Sequence, residues 1–133
     1  MSARPIEPVI THESELETEA WDDPVRGKVK WWTLLSGDRT ASERLTCGVA
    51  EIEPGRPDAL SPHRHAEPEV YHFLAGTGVV RIDDVEHDVR PGSTVFVPSM
   101  AWHGVRNTGD VPLRLFYVFA VDAFTDVEYL FPA

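Results

Sequence analysis

Along most of the chain apolar and polar positions alternate with a period of two, the spacing of half-buried strands. Residues 29–35 (VKWWTLL), 44–53 (RLTCGVAEIE), 69–75 (EVYHFLA), 79–83 (VVRID), 86–89, 94–97 (TVFV), 103–106 and 113–121 (LRLFYVFAV) read as strands. Turn signals separate them: Ser36-Gly37-Asp38, Pro54-Gly55, Gly76-Thr77-Gly78, Asp83-Asp84, Pro91-Gly92 and Asn107-Thr108-Gly109-Asp110. Short strands recurring about every eight to twelve residues are the signature of an all-β sandwich or barrel. Residues 94–97 are expected to be a short buried strand ended by Pro98. The polar stretch 56–61 is expected to be a loop, and the aromatic tail 122–133 to fold back on the body.

The first 24 residues break the pattern. They hold seven Asp or Glu against a single Arg, together with Pro5, Pro8 and Pro24. They are expected to form an acidic, loosely packed arm, with residues 13–20 able to make two helical turns capped by Thr11 or Ser14. Trp21 is the arm's apolar anchor, toward the body or a second subunit. Residues 25–133 then form the barrel domain.

Composition narrows the function. At 133 residues with 42% hydrophobic and 26% charged positions, the chain supports one core. The net charge of −10 leaves no basic stripe for a nucleic acid and disfavours an anionic membrane surface. No apolar run approaches a membrane span, and residues 1–20 lack an apolar signal core, so the expectation is a cytoplasmic protein. The lone Cys47 excludes an intrachain disulfide and reads as a small core residue.

The chemistry concentrates in residues 62–76, PHRHAEPEVYHFLAG. Residues two apart on a strand share a face, so His63 and His65 face one side and Arg64 the other. Residues 66–68 form a turn, with Pro68 holding Glu67 extended. Glu69, Tyr71 and Phe73 then share a face opposite Val70, His72 and Leu74. If the first face points inward, two imidazoles and a carboxylate converge, a nitrogen/oxygen set suited to one divalent ion such as Fe, Mn, Ni or Zn. His103 is the candidate fourth ligand. The same parity, with Arg114 outward, turns Leu115, Tyr117 and Phe119 inward, and places Phe96 with them as a substrate-lining residue beside Phe73. Trp31 and Trp32 put one indole on each face of their strand. His72 and His87 read as exposed or structural.

These residues resemble the cupin superfamily. Its first motif, G-x5-H-x-H-x3,4-E-x6-G, matches Gly55, His63, His65, Glu69 and Gly76, with a first spacer two residues longer. Its second, G-x5-P-x-G-x2-H-x3-N, matches Gly92, Pro98, His103 and Asn107, with Met100 where the family usually has Gly. The resemblance covers about residues 45–120. It implies a double-stranded β-helix, or jelly-roll barrel, with His63, His65, Glu69 and His103 as metal ligands. Three neutral imidazoles and one carboxylate around a divalent ion leave a net charge of about +1, with about two coordination positions open.

Three functions are compatible with this pattern. The first is a metal-dependent, non-redox lyase, isomerase or cyclase acting on a small oxygen-chelating or carboxylate-bearing molecule. Here Tyr71 would be the proton-transfer residue; cupins of this size with such a tyrosine resemble dimethylsulfoniopropionate lyases. The second is an iron-dependent dioxygenase, the third a non-catalytic small-molecule binder. The absence of Arg and Lys from the predicted inner face favours the non-redox class. Open sheet edges imply a homodimer.

Overall fold

The computed structural model describes residues 5–55 and 59–133, whose regular structure is almost all antiparallel strand. Ten strands follow in order: β1 (Glu19–Asp23), β2 (Gly27–Leu35), β3 (Thr46–Ile52), β4 (Leu60–His63), β5 (Glu69–Ala75), β6 (Gly78–Ile82), β7 (Val85–Val89), β8 (Thr94–Val97), β9 (His103–Asn107) and β10 (Leu113–Phe119). Their pairing order, β7-β6-β9-β4-β2-β3-β10-β5-β8 with β1 beside β2, makes one strongly curled sheet, the jelly-roll barrel expected. No helix among the described residues is long and apolar enough to cross a membrane.

The inner face of the curl is the core. β10 alternates strictly, with Leu113, Leu115, Tyr117 and Phe119 all buried and the residues between them only partly so. β5 does the same with Glu69, Tyr71 and Phe73. Val29, Trp31, Ala50, Ile52, Val80, Val97 and Val105 belong to the same cluster. Fully burying side chains of this size contributes about 1.5–3 kcal/mol each, before the entropy of ordering them. Cys47 is buried as expected, and burial pushes its thiol pKa up.

Two motif residues act through the backbone. Gly76 has φ +81, and a Cβ there would lie 2.6 Å from the carbonyl oxygen of Pro112, so neither conformation nor space admits another side chain. Asn107 is buried and closes the β9–β10 connection. Its Nδ2 donates to the carbonyls of Ile52 (2.9 Å) and Val111 (2.7 Å), and its Oδ1 accepts from the Gly109 amide. Met100 adopts the left-handed φ of +63 that a glycine would take more easily, and its amide still donates to the His65 carbonyl (2.8 Å).

Several expectations change. Residues 13–20 are not two helical turns: a single 3-10 turn spans Glu13–Glu15, capped by His12, and Glu19 already belongs to β1. β1 pairs with β2 along its whole length, from Glu19↔Trp31 to Asp23↔Gly27. Ion pairs also dock this segment. Glu19 accepts from Nη1 and Nη2 of Arg39 at 2.9 Å and from the Thr33 hydroxyl at 2.6 Å, and Glu13 accepts from Arg114 at 2.7 Å. β2 is interior to the sheet, paired with β1 along its first five residues, with β3 from Lys30 to Leu35 and with β4 at Gly27. Within the expected 56–61 loop, residues 56–58 lie outside the described residues; Leu60 and Ser61 belong to β4.

Phe96 is the correction that touches the site. β8 pairs with β5 so that Val97 lies opposite Glu69 and Val95 opposite Tyr71. Directly opposed residues share a face, so Val95 and Val97 point inward and Phe96, opposite Val70, points out. It is 63% exposed, and Thr94 is exposed with it. Phe96 therefore cannot line the cavity, and β8 is buried on one face only.

Candidate metal centre

The centre forms where β4, β5 and β9 meet. His63 ends β4 and His103 begins β9, and the two are direct cross-strand partners. Two residues on, His65 projects to the same side, and Glu69 opens β5 after the turn. All four side chains are 1–4% exposed. One ligand atom each from His63, His65 and His103 falls within a 4.8 Å group, close enough for the triad to hold one ion. The Glu69 Oε1 atom stands 3.2 Å from His65 Nε2 and 3.3 Å from His103 Nε2.

The backbone selects which nitrogen each imidazole offers. His63 Nδ1 lies 2.8 Å from the Ser61 carbonyl, His65 Nδ1 2.8 Å from that of Glu67, and His103 Nδ1 2.8 Å from that of Ala101. A carbonyl only accepts, so each Nδ1 carries the proton and donates it. Each Nε2 then bears a lone pair unless the ring is doubly protonated. This second set of bonds is the usual way a protein orients metal-binding histidines. His103 Nε2 is buried with no hydrogen-bond partner. Glu69 Oε1 lies within hydrogen-bond distance of His65 Nε2, a contact that a shared proton or a bound cation satisfies, and three imidazoles with one carboxylate are a donor set for a divalent ion. The donor set therefore fits a divalent ion.

The electrostatics differ from one side chain to the next. Burial, reinforced by the nearby His103, pulls the His63 pKa down to about 3, so its ring is neutral at physiological pH. Burial also disfavours charge on His65, but Glu69 outweighs it and raises the pKa. Glu69 is opposed by its own burial, yet His103 and His65 hold it below the usual carboxylate range. Tyr71, buried beside Glu69, has its phenol pKa driven well above normal, by burial first and the Glu69 charge second.

Around this polar corner lies a cavity of about 50 Å³, lined by His63, Glu69, Tyr71, Tyr117 and Phe119 on the strands already described. Trp31 points in and Trp32 out, where Lys30 and Arg114 lie over its ring. Phe73, though 1% exposed, is core and not part of this lining. His72 and His87 are exposed, His72 bonding to Thr94. Arg64 faces away from the triad, its guanidinium 4.5 Å from the Trp102 ring centre.

Three further walls come from segments the alternation pattern does not reach. Trp21 on β1 reaches the His63 ring at 6.3 Å. Tyr129 in the tail lies 5.3 Å from His63 and 5.4 Å from His65, and Phe124 stacks on Trp31 at 6.0 Å. The tail folds back as expected. Leu130 exchanges two backbone hydrogen bonds of 2.9 Å with Arg64, directly between the two histidines of the first motif. The only sequence sign of these walls was their aromatic content.

The Cupin domain profile matches residues 48–119, more than half of the chain. The chain belongs to the cupin family. It is 42% identical, over 111 residues, to the dimethylsulfoniopropionate lyase DddW of Ruegeria pomeroyi, an alignment covering 84% of this cupin and 71% of that protein. Streptomyces halstedii SchB is 39% identical over 71 residues, 53% of this chain and 50% of that one. Among solved structures, a predicted oxalate decarboxylase from Thermotoga maritima superimposes with a TM-score of 0.72 at 25% identity, covering 85% of this chain and 99% of that one. The polyketide cyclase RemF of Streptomyces resistomycificus gives 0.75 at 18% identity, covering 96% and 87%, and speaks for the fold alone.

Proposed function

We propose that this cupin is a metal-dependent lyase that cleaves dimethylsulfoniopropionate, or a close 3-sulfonio carboxylate, by β-elimination. The supporting observation is a buried histidine triad with Glu69 and Tyr71 beside it, in a chain 42% identical to a lyase of that name. His63, His65, His103 and Glu69 would hold the ion. A divalent ion there supplies Lewis-acid polarisation of a substrate carboxylate and a positive charge that lowers a neighbouring phenol's pKa.

The protein's own residues then have defined tasks. Tyr71, buried two residues from Glu69 on the same face, would take a proton from the carbon next to the carboxylate. The electrons of that C–H bond form the new double bond, and the carbon–sulfur bond breaks with its pair leaving on sulfur. Acrylate, dimethyl sulfide and one proton result. The Glu69 charge that raises the Tyr71 pKa is the charge a bound cation would offset. The rings around the cavity exclude water from the reacting atoms.

We further propose a homodimer. Phe96 (63% exposed) and Leu74 (47% exposed) lie on the outer face of β5 and β8, and β8 is a free sheet edge. A second copy placed there would cover both.

The test is to purify the protein without added metal, measure its metal content, and assay dimethyl sulfide and acrylate from dimethylsulfoniopropionate, with oxygen uptake in parallel. Equimolar acrylate and dimethyl sulfide without oxygen uptake supports the proposal. Substrate-dependent oxygen uptake would redirect it to dioxygenase chemistry, and binding without turnover to a binder.

A further inference from the structure

The three histidines are alike in turning Nδ1 to a backbone carbonyl at 2.8 Å, but what stands behind that nitrogen differs. Among the described residues, a carboxylate joins the carbonyl at His65 only. Glu67 supplies both: its backbone oxygen accepts the hydrogen bond, and its Oε1 atom lies 4.0 Å from the same Nδ1. Oε1 is buried without a hydrogen-bond partner, and the Glu67 side chain is 18% exposed, so this is not a solvated turn residue. No Arg or Lys among the described residues is in ion-pair range of it; the His65 ring is its one basic neighbour there. Glu69 meets that ring at its other nitrogen, 3.2 Å from Nε2. His65 therefore stands between two carboxylates, one at each ring nitrogen.

The position of Oε1 at Nδ1 keeps Glu67 out of the donor set, which uses Nε2. A buried carboxylate oxygen without a hydrogen bond is costly on its own. A cation held at Nε2 changes the balance. It draws electron density through the ring and makes the Nδ1–H group more positive, and a negative charge 4.0 Å away then attracts that group. A carboxylate behind an imidazole ligand in this way makes the ring a stronger donor. We propose that Glu67 is a positioning residue for the metal centre: acting through the His65 ring, its carboxylate strengthens His65 Nε2 as a donor and makes His65 the strongest of the three imidazole ligands. This rests on the reading of the triad as a metal centre and is independent of the reaction and its substrate.

The experiment titrates the metal-free full chain with Zn²⁺ against a competing chelator, in the wild type, Glu67→Gln and Glu128→Gln. Glu67→Gln keeps the size and the backbone carbonyl and removes the charge, so zinc should bind about 10- to 100-fold more weakly. Glu128→Gln removes the same charge from an exposed residue of the tail, where solvent screens it, and should leave the affinity within about twofold. The melting temperature of the metal-free protein should hold or rise in Glu67→Gln, since an unpaired buried carboxylate oxygen is gone. A purely structural role would lower it. Proton NMR of the zinc-loaded wild type should place the His65 Nδ1 proton downfield of those of His63 and His103, and Glu67→Gln should move it toward them. An affinity loss below about tenfold, an equal loss in Glu128→Gln, a drop in the metal-free melting temperature, or a His65 proton no further downfield than the other two would overturn the inference. If Glu67→Gln does not fold, the wild-type proton shifts decide. A wild type that binds no zinc would sink the metal centre and this inference together. Zinc binding that Glu67→Gln leaves unmoved would sink the inference alone.

Discussion

His63 and His103 face each other directly across the β4–β9 pair, with ring centres 4.2 Å apart. Each ring is tied by Nδ1 to a carbonyl two residues earlier in its own chain segment, Ser61 and Ala101. The pair thus presents two Nε2 lone pairs at one point, with orientation set by backbone rather than by mobile side chains. Replacing His103 with Ala should cut metal affinity by at least about 100-fold, more than the 10- to 100-fold typical of an outer partner. Metal analysis after dialysis reads this directly. Chelation of the wild type should also lower its melting temperature, because an ion at one hundred times its Kd contributes about 2.7 kcal/mol. A melting temperature indifferent to chelator would mean that the triad holds no ion.

Tyr71 lies opposite Tyr117 on β10 and two residues from Glu69, buried on the same face. Tyr71→Phe removes one oxygen and keeps the ring, so fold and metal content should survive. If the phenol moves the proton, kcat should fall by about 10²–10⁴ with KM little changed. Turnover equal to wild type would remove Tyr71 from the mechanism.

The strands and the centre were legible for one reason: period-two alternation and turn residues carry both. His63, His65, Glu69 and His103 sit on or beside strands whose parity is anchored by neighbours such as Phe73 and Leu115, so their common face could be read. Phe96 was misplaced because β8 is four residues long and supplies no anchor of its own. Its parity is decided by pairing with β5, a long-range fact. The acidic segment was misread for a similar reason. Local propensity over residues 13–20 permits a helix, but pairing of Glu19–Asp23 with β2 and the Arg39 clamp on Glu19 override it. Trp21 and Tyr129 reach the site through segments with no period to read.

Glu19 makes that docking sensitive to pH. The Arg39 hydrogen bonds pull its carboxyl below its ordinary value of 4.5, against partial burial, with Thr33 assisting. A folded pKa below the unfolded one means the pair's contribution is complete above the unfolded value and is lost as pH falls through the folded value. Melting temperature should therefore fall between about pH 5 and pH 3, and fall less steeply in Glu19→Gln. At pH 7 the variant should lose no more than about 1 kcal/mol, since the pair is partly exposed. Parallel pH curves for the two proteins would refute the assignment.

Met100 offers a test of backbone strain. Its φ of +63 lies in a region that costs a side-chain-bearing residue about 1–3 kcal/mol, while glycine adds about 0.4–1 kcal/mol of unfolded-state entropy. Strain relief exceeds the entropy loss, so Met100→Gly should stabilise by about 0.5–1 kcal/mol, a rise of a few degrees in melting temperature. Because the Met100 amide bonds the His65 carbonyl, metal affinity should hold if the turn is unchanged. A stability loss would mean that the Met100 side chain, 39% exposed, contributes more packing than its exposure suggests.

Phe96 and Leu74 are large apolar groups on a face where the barrel offers them no cover. Beside them the outward residues of β10, Phe116 and Val118, are also only partly buried, so the apolar character extends over three adjacent strands, β8, β5 and β10. A monomer gains nothing by exposing such a patch, and a second copy seated on it would bury the same residues from both sides. Light scattering after size exclusion should give twice the 14.9 kDa chain mass for the wild type. Phe96→Asp places two like charges at the proposed contact and should shift it to monomer, leaving metal content unchanged because Phe96 points away from the centre. A wild-type monomer, or a Phe96→Asp protein that remains dimeric, would move the interface elsewhere or remove it.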